Sequence, residues 1–192
     1  MTAVKVPLRH SVLFWSIAGG GAAFDLATKH AVFDSIGPPP SPPRAIVADI
    51  LELHTSYNKG ALWGLGRNLP HGSLVFALLS LAAAVAICYW LFVRKAAVDG
   101  RLTAAFALIT AGAIGNGYDR VMLGHVRDFV HFHVDSIGFD CAIFNFADNM
   151  LVAGAVFLLV MALRPGPEPD DEPVAVGVDR EIAANTTVEI TS

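Results

Sequence analysis

The sequence predicts a membrane all-α bundle of four transmembrane helices carrying a small extracellular β-cradle. Three observations carry that prediction. Of the 192 residues 54% are hydrophobic and only 16% are charged, too apolar for an ordinary soluble domain of this length. Ser73 to Val93 is a run of 21 residues without a charge, which at about 1.5 Å rise per residue covers the roughly 30 Å of a bilayer's hydrocarbon. Finally, two of the links between apolar runs contain stretches that alternate apolar and polar residues, the period of a half-buried strand.

Taken in order, Val12 to Phe24 opens the first span, which continues past Asp25. Lys5 and Arg9, a short apolar run and the small residues of AGGGAA also fit a secretory signal peptide, and cleavage there would leave Asp25 near a new N-terminus. GPPPSPPR, Gly37 to Arg44, is a stiff extended connector that cannot be helical. Beyond it Leu51, Leu53, Thr55 and Tyr57 alternate with Glu52, His54, Ser56 and Asn58, a strand with one apolar face. Asn58-Lys59-Gly60 is expected to turn it, and ALWGLG suits a hairpin partner or an interfacial segment, where Trp63 favours the headgroup level. After the Ser73 to Val93 span, Leu102 to Tyr118 is a third uncharged run. Ile143 to Leu163 is the fourth, interrupted only by Asp148.

The link before that last span holds VRDFVHFHV. As a strand it sets Val126, Asp128, Val130, Phe132 and Val134 on one face, and Arg127, Phe129, His131 and His133 on the other. The expected division is a membrane domain over 1–164, with outer loops 34–70 and 121–143, and a disordered acidic tail over 165–192. That tail holds seven acids against Arg180 alone, so the net charge of −4 hides a slightly basic body. Its polar, Pro-rich composition cannot build a core. Cys88 and Cys141 lie at different depths and give neither a disulfide framework nor a metal-ligand spacing.

Four spans put both termini on one side, and Lys and Arg density assigns that side to the cytoplasm. Lys5 and Arg9 precede the first span, Arg94, Lys95 and Arg101 crowd the link between the second and third, and Arg164 closes the fourth. Asp25, Lys29, Asp119 and Asp148 then converge near the outer face. Ionisable groups in or beside a bilayer are costly and read as a site.

Two Asn-x-x-Asp pairs, Asn116/Asp119 and Asn145/Asp148, frame that site. On a helix each pair shares one face. Asn145 can hold the Asp148 carboxylate or a substrate, or simply cap the helix. Asp119 beside Arg120 can act in the site or form an end-of-span ion pair, and Lys29 can join the site or snorkel with Asp25 as its i,i+4 partner. Asp128 is the lone acid on an apolar strand face, where burial and a second carboxylate both raise a carboxyl pKa. His131 and His133, with His125 nearby, are zinc-ligand types, but the pair faces away from Asp128, so no metal is expected. Nucleophile signatures such as GxSxG are absent from the sequence. Two carboxyl groups sharing a proton can instead activate water against an amide, one as base and one as acid.

FDLATK (Phe24 to Lys29), NKGALWG (Asn58 to Gly64), AGAIGNGYDRVMLGHVRDF (Ala111 to Phe129) and FNFAD (Phe144 to Asp148) occur in an order and spacing that resembles the bacterial lipoprotein signal peptidases, signal peptidase II. The likeness covers about residues 8–164. It implies a four-helix protease of the bacterial inner membrane with an extracellular β-cradle, cutting prolipoproteins before a diacylglyceryl-modified cysteine at the outer leaflet. It also implies that Asp128 and Asp148 form the catalytic dyad. Asn116, Arg120 and Asn145 would position substrate or dyad, while Asp25, Lys29, Asn58 and Gly60, with Asp119, would support the site. Leu26, Ala111, Trp63 and Asn149 depart from the family's usual Gln, Gly, Phe and Ser. The expected partners are diacylglyceryl-prolipoprotein substrates and membrane lipid, with no cofactor and no nucleic acid.

Two other functions compete with this reading. A small cation- or proton-coupled transporter subunit would need a continuous polar path, and Ser73 to Val93 offers only Ser80, Cys88 and Tyr89. A non-catalytic scaffold would work through its extracellular sheet rather than through the acids.

Overall fold

The structure is a computed structural model that describes residues 5–60, 66 and 68–164. Contacts divide the chain into Met1–Ala162 and Leu163–Ser192. Of the second unit only Leu163 and Arg164 are described, so the acidic tail, like most of ALWGLG, lies outside the described residues.

Among the described residues, four α-helices and a four-stranded antiparallel sheet make up the first unit. Helix α1 spans Leu8–Ile36, α2 Gly72–Cys88, α3 Gly100–Leu123 and α4 Phe146–Ala162. The strands are β1 (Arg44–Val47), β2 (Leu51–Asn58), β3 (Val126–Val134) and β4 (Phe139–Asp140), in that spatial order. Both ends of α3 have a local cause. Asp99 caps α3 by accepting from the Arg101 amide at 2.7 Å, as N-cap acids do. Gly124, at φ 77°, ends α3 in the left-handed conformation that glycine tolerates. Helix α2 instead widens at its C-terminal end into a π-turn over Tyr89–Val93.

Helix α3 is the hub, packed against the other three helices. Small residues make this possible. A Cβ on Gly112 would collide with the Ala147 carbonyl and Leu151, and one on Gly154 would come within 2.7 Å of the Ala105 carbonyl. Helices α3 and α4 therefore touch backbone to backbone, the mode in which bundles associate without hydrophobic driving force. Ala111, where the resemblance leads one to expect glycine, is matched across α1 by Gly21, whose absent Cβ would lie 2.9 Å from the Ala111 methyl. At the end of the bundle away from the sheet, Phe14, Ala18, Leu91, Ala97 and Ala107 form a fully buried cluster.

Large apolar side chains also point outward. Leu74, Leu78, Leu81 and Val85 of α2 and Val152, Val156 and Leu159 of α4 are exposed, more apolar surface than water tolerates. Gly72–Val93 is the one helix among the described residues long and apolar enough to cross a membrane by itself, and α4 is a shorter apolar helix.

The sheet corrects the sequence reading in two ways. Strand β3 covers the expected VRDFVHFHV, but β2 pairs with β1 on one side and β3 on the other, and neither β1 nor β4 was foreseen. Leu53 faces Val130 while Ser56 faces Asp128, so β2 carries one extra residue between them. Such a bulge reverses the alternation downstream. Ser56 and Asn58 thereby join Leu51 and Leu53 on the Asp128 face, where strict alternation would have kept them apart.

The close approach of α3 and α4 generates a test. Gly154→Leu should lower stability by about 1–3 kcal/mol through overpacking, read as a fall in Tm in detergent. Gly20→Ala, whose new methyl meets open space, should leave Tm unchanged or slightly raised.

Candidate active site

The site lies where the C-terminal ends of α1 and α3, the N-terminus of α4 and strands β2 and β3 meet, and a buried ammonium organises it. Lys29 is fully buried, one helical turn after Asp25. Its Nζ donates to Asn116 Oδ1 at 2.9 Å and is ion-paired with Asp25 Oδ2 at 2.7 Å and Asp119 Oδ2 at 3.5 Å. An unpaired charge at this depth would be prohibitive. Snorkelling is thus excluded, since the side chain turns inward.

From that ammonium the network spreads to both ends of the site. Asn116 accepts from Lys29 and from Asn145 Nδ2 (3.1 Å), and donates to Asp148 Oδ1 at 2.7 Å. Asn145 Nδ2 also donates to Asp128 Oδ1 at 2.6 Å. The other end of the same amide caps α4: Asn145 Oδ1 accepts from the Asp148 amide at 3.0 Å, and Asp148 Oδ2 accepts from the Asn145 amide at 3.3 Å. That reciprocal pair is a capping box. Asp25 completes the cap, its Oδ1 taking the Ala147 amide at 2.8 Å across 122 residues of chain, an acid at the positive end of a helix. Gly115 leaves room for that carboxylate, since a Cβ there would collide with Asp25 Oδ2.

Asp119 does not pair with its neighbour Arg120, contrary to one of the expected readings. Its carboxylate takes Arg127 in a fork, Oδ1 to Nη2 at 2.8 Å and Oδ2 to Nε at 3.2 Å, and accepts the Arg127 amide as well. Bidentate geometry of this kind fixes orientation. Arg120 instead reaches the Gly60 carbonyl at 3.0 Å and lies over the Phe76 ring. Asn58 Oδ1 accepts the Gly60 amide at 2.9 Å, holding the turn after β2. Every residue expected in the dyad or its support therefore belongs to one connected network. Arg127 was missed as a member because strand alternation assigned it to the face away from Asp128.

Two clefts open on the network and share Asn116, Arg120, Asp148 and Val152. One, of about 380 Å³, runs between α2, α3 and α4 past Phe76, Ala83 and Ile109. The other, of about 350 Å³, runs beneath the sheet past Asn58, Val126 and Phe144. Asp128 is 3% exposed. Burial, reinforced by the negative charge of Asp148, pushes its carboxyl up to about 7, against hydrogen bonds from Asn145 and Asn58 that favour ionisation. Among the described residues, Glu52, His131 and His133 form a group with metal-ligand chemistry, and it stands on the opposite face of β3.

The family described as Signal peptidase (SPase) II matches residues 17–164. The chain belongs to that family. A lipoprotein signal peptidase of Rhodopirellula baltica is 37% identical over 178 residues, 86% of this chain and 78% of its own length. One from Staphylococcus aureus is 29% identical over 129 residues, 67% of this chain and 76% of its own. Two solved structures described as bacterial membrane enzymes are each 26% identical, with TM-scores of 0.69 and 0.68. They cover 85% and 86% of this chain, and 92% and 99% of their own lengths are covered in turn. The span matched by signal peptidase II encloses the whole network, from Asp25 to Asp148.

Replacing the ammonium tests the network's architecture. Lys29→Met keeps an unbranched side chain one atom shorter but leaves Asp25 and Asp119 buried without their cation, a loss of about 3–5 kcal/mol. Thermal unfolding in detergent should show a large fall in Tm, and an unchanged Tm would refute the role given to Lys29.

Proposed function

We infer that this signal peptidase II, which removes signal peptides from prolipoproteins, does so by aspartic chemistry with Asp128 and Asp148 as the catalytic pair. One observation carries the inference: a single side chain, Asn145, bonds Asp128 through Nδ2 and caps the helix turn bearing Asp148 through Oδ1. The two acids come from distant parts of the chain, yet one amide sets the position of both.

In this reading Asp128, whose carboxyl burial raises to about 7, holds the proton near neutrality. Water attacks the scissile carbonyl carbon and gives a proton to the ionised carboxylate, while the protonated carboxyl donates to the carbonyl oxygen. As the resulting gem-diol collapses, one of its hydroxyls returns a proton to the carboxyl that acted as acid, the C–N bond breaks, and the proton gathered by the base leaves with the amine. Both carboxyls return to their starting forms. Arg120, beside Asp148 at the junction of the clefts, suits the substrate's backbone carbonyls. The apolar cleft between α2, α3 and α4 suits the hydrocarbon of a diacylglyceryl cysteine, and the cleft beneath the sheet suits the peptide.

We read α1, α2 with its π-turn, α3 and α4 as four spans, with both termini cytoplasmic and the sheet at the outer leaflet of the inner membrane. Exposed apolar faces on α2 and α4 and the placement of Lys and Arg support that topology. Residues 1–164 would then be the peptidase domain and 165–192 an acidic appendage. Family membership gives the transporter reading no support.

Asp128→Asn and Asp148→Asn should each lower cleavage of a diacylglyceryl-modified precursor by about 10³-fold or more with little change in Tm, followed by gel shift. Retained activity in either variant would refute the pair, and equal cleavage of a non-lipidated control would remove the lipid from the recognition. A second expectation concerns pH. Ionisation of Asp128 above pH of about 7 removes the acid, so kcat/KM should fall about tenfold per pH unit on that side. A profile flat to pH of about 9 would contradict the assignment.

A further inference from the structure

The outer face of the sheet carries a second cluster that the hydrolytic site does not use. His131 and His133 are two apart on β3 and so project from one face, their rings stacked with centroids 5.0 Å apart. Glu52 is the cross-strand partner of His131. One ligand atom from each of the three lies within 4.8 Å of the others, and each side chain is only 17% exposed. We propose that Glu52, His131 and His133 bind one divalent transition-metal ion of the zinc class, clipping β2 to β3 on the face opposite Asp128.

Donor chemistry and orientation both support the ion. Two imidazoles and a carboxylate suit zinc and its first-row neighbours better than hard cations. Glu52 stands between the rings, with Oε1 2.7 Å from His131 Nδ1 and Oε2 3.9 Å from His133 Nε2. The outward nitrogen of each ring is held by another acid: His131 Nε2 meets Asp140 at 2.7 Å and His133 Nδ1 meets Asp135 at 2.9 Å. That is the carboxylate–imidazole relay that orients histidine ligands at metal centres, present here on both rings. A move of about 1 Å by flexible side chains brings the three donors to bonding distance of one ion. A water or His54, whose Nδ1 is 3.6 Å from Glu52, can complete four-coordination.

The sequence reading set metal aside because these imidazoles face away from Asp128. They do, and toward Glu52, which lies 79 residues earlier in the chain.

Full-length protein, purified in detergent and stripped with a chelator, is titrated with zinc chloride against a chromophoric competitor. One equivalent should bind, and zinc should raise Tm, whereas magnesium at the same concentration should do neither. His131→Ala/His133→Ala should weaken zinc binding at least about 100-fold and Glu52→Gln about tenfold. Each variant should keep prolipoprotein cleavage without metal, which reports that it is folded. Should the double variant not fold, His133→Gln decides, with the same expected loss. Absence of stoichiometric binding in the wild-type chain, or wild-type affinity in the variants, overturns the site.

Discussion

A lysine ammonium enclosed by an apolar bundle cannot be left without partners, and satisfying Lys29 determines where most of this site sits. Asp25 comes from the same helix one turn earlier, while Asn116 and Asp119 come from α3. Meeting all three fixes how α1 lies along α3. Asn116 then hands the alignment on to Asp148 and Asn145, and Asp119 anchors Arg127 at the start of β3, one residue before Asp128. Asp148 is therefore two hydrogen bonds from that cation and Asp128 three, although neither touches it.

Asn145 shows why a helix cap and a catalytic scaffold need not be rival explanations. A cap uses an oxygen, and an amide side chain carries two N–H donors besides. Oδ1 closes the first turn of α4, which leaves Nδ2 to reach Asp128 and Asn116. A serine or threonine would cap equally well but could not supply the two bonds made by Nδ2. The capping motif at the head of α4 thus doubles as the joint between helix and sheet.

Local features were readable from sequence, and long-range ones were not. Uncharged length alone marked Ser73 to Val93, and alternation alone marked Val126 to Val134. Strands β1 and β4 are four and two residues long and owe their existence to partners far away, so no local period announces them. The β2 bulge moves Asn58 onto the Asp128 face by one inserted residue, a register effect that only pairing reveals. Alternation places Arg127 on the face away from Asp128, and nothing local says that Asp119 waits beside it. Candidate site residues were legible because acids and amides beside apolar runs are rare. Their bonding was not, since Asp25 to Ala147 and Glu52 to His131 each depend on closure of a long loop.

The Asp25–Lys29 pair bears on how the protein is made. An acid and a base one turn apart on the same helix neutralise each other without help from any other segment. Before α3 and α4 pack against it, α1 can therefore carry both groups as a closed dipole rather than as two bare ions. The other helices then add to that pair without breaking it, the Ala147 amide on Asp25 and Asn116 and Asp119 on Lys29. Part of the polar interior is thereby neutral before assembly begins.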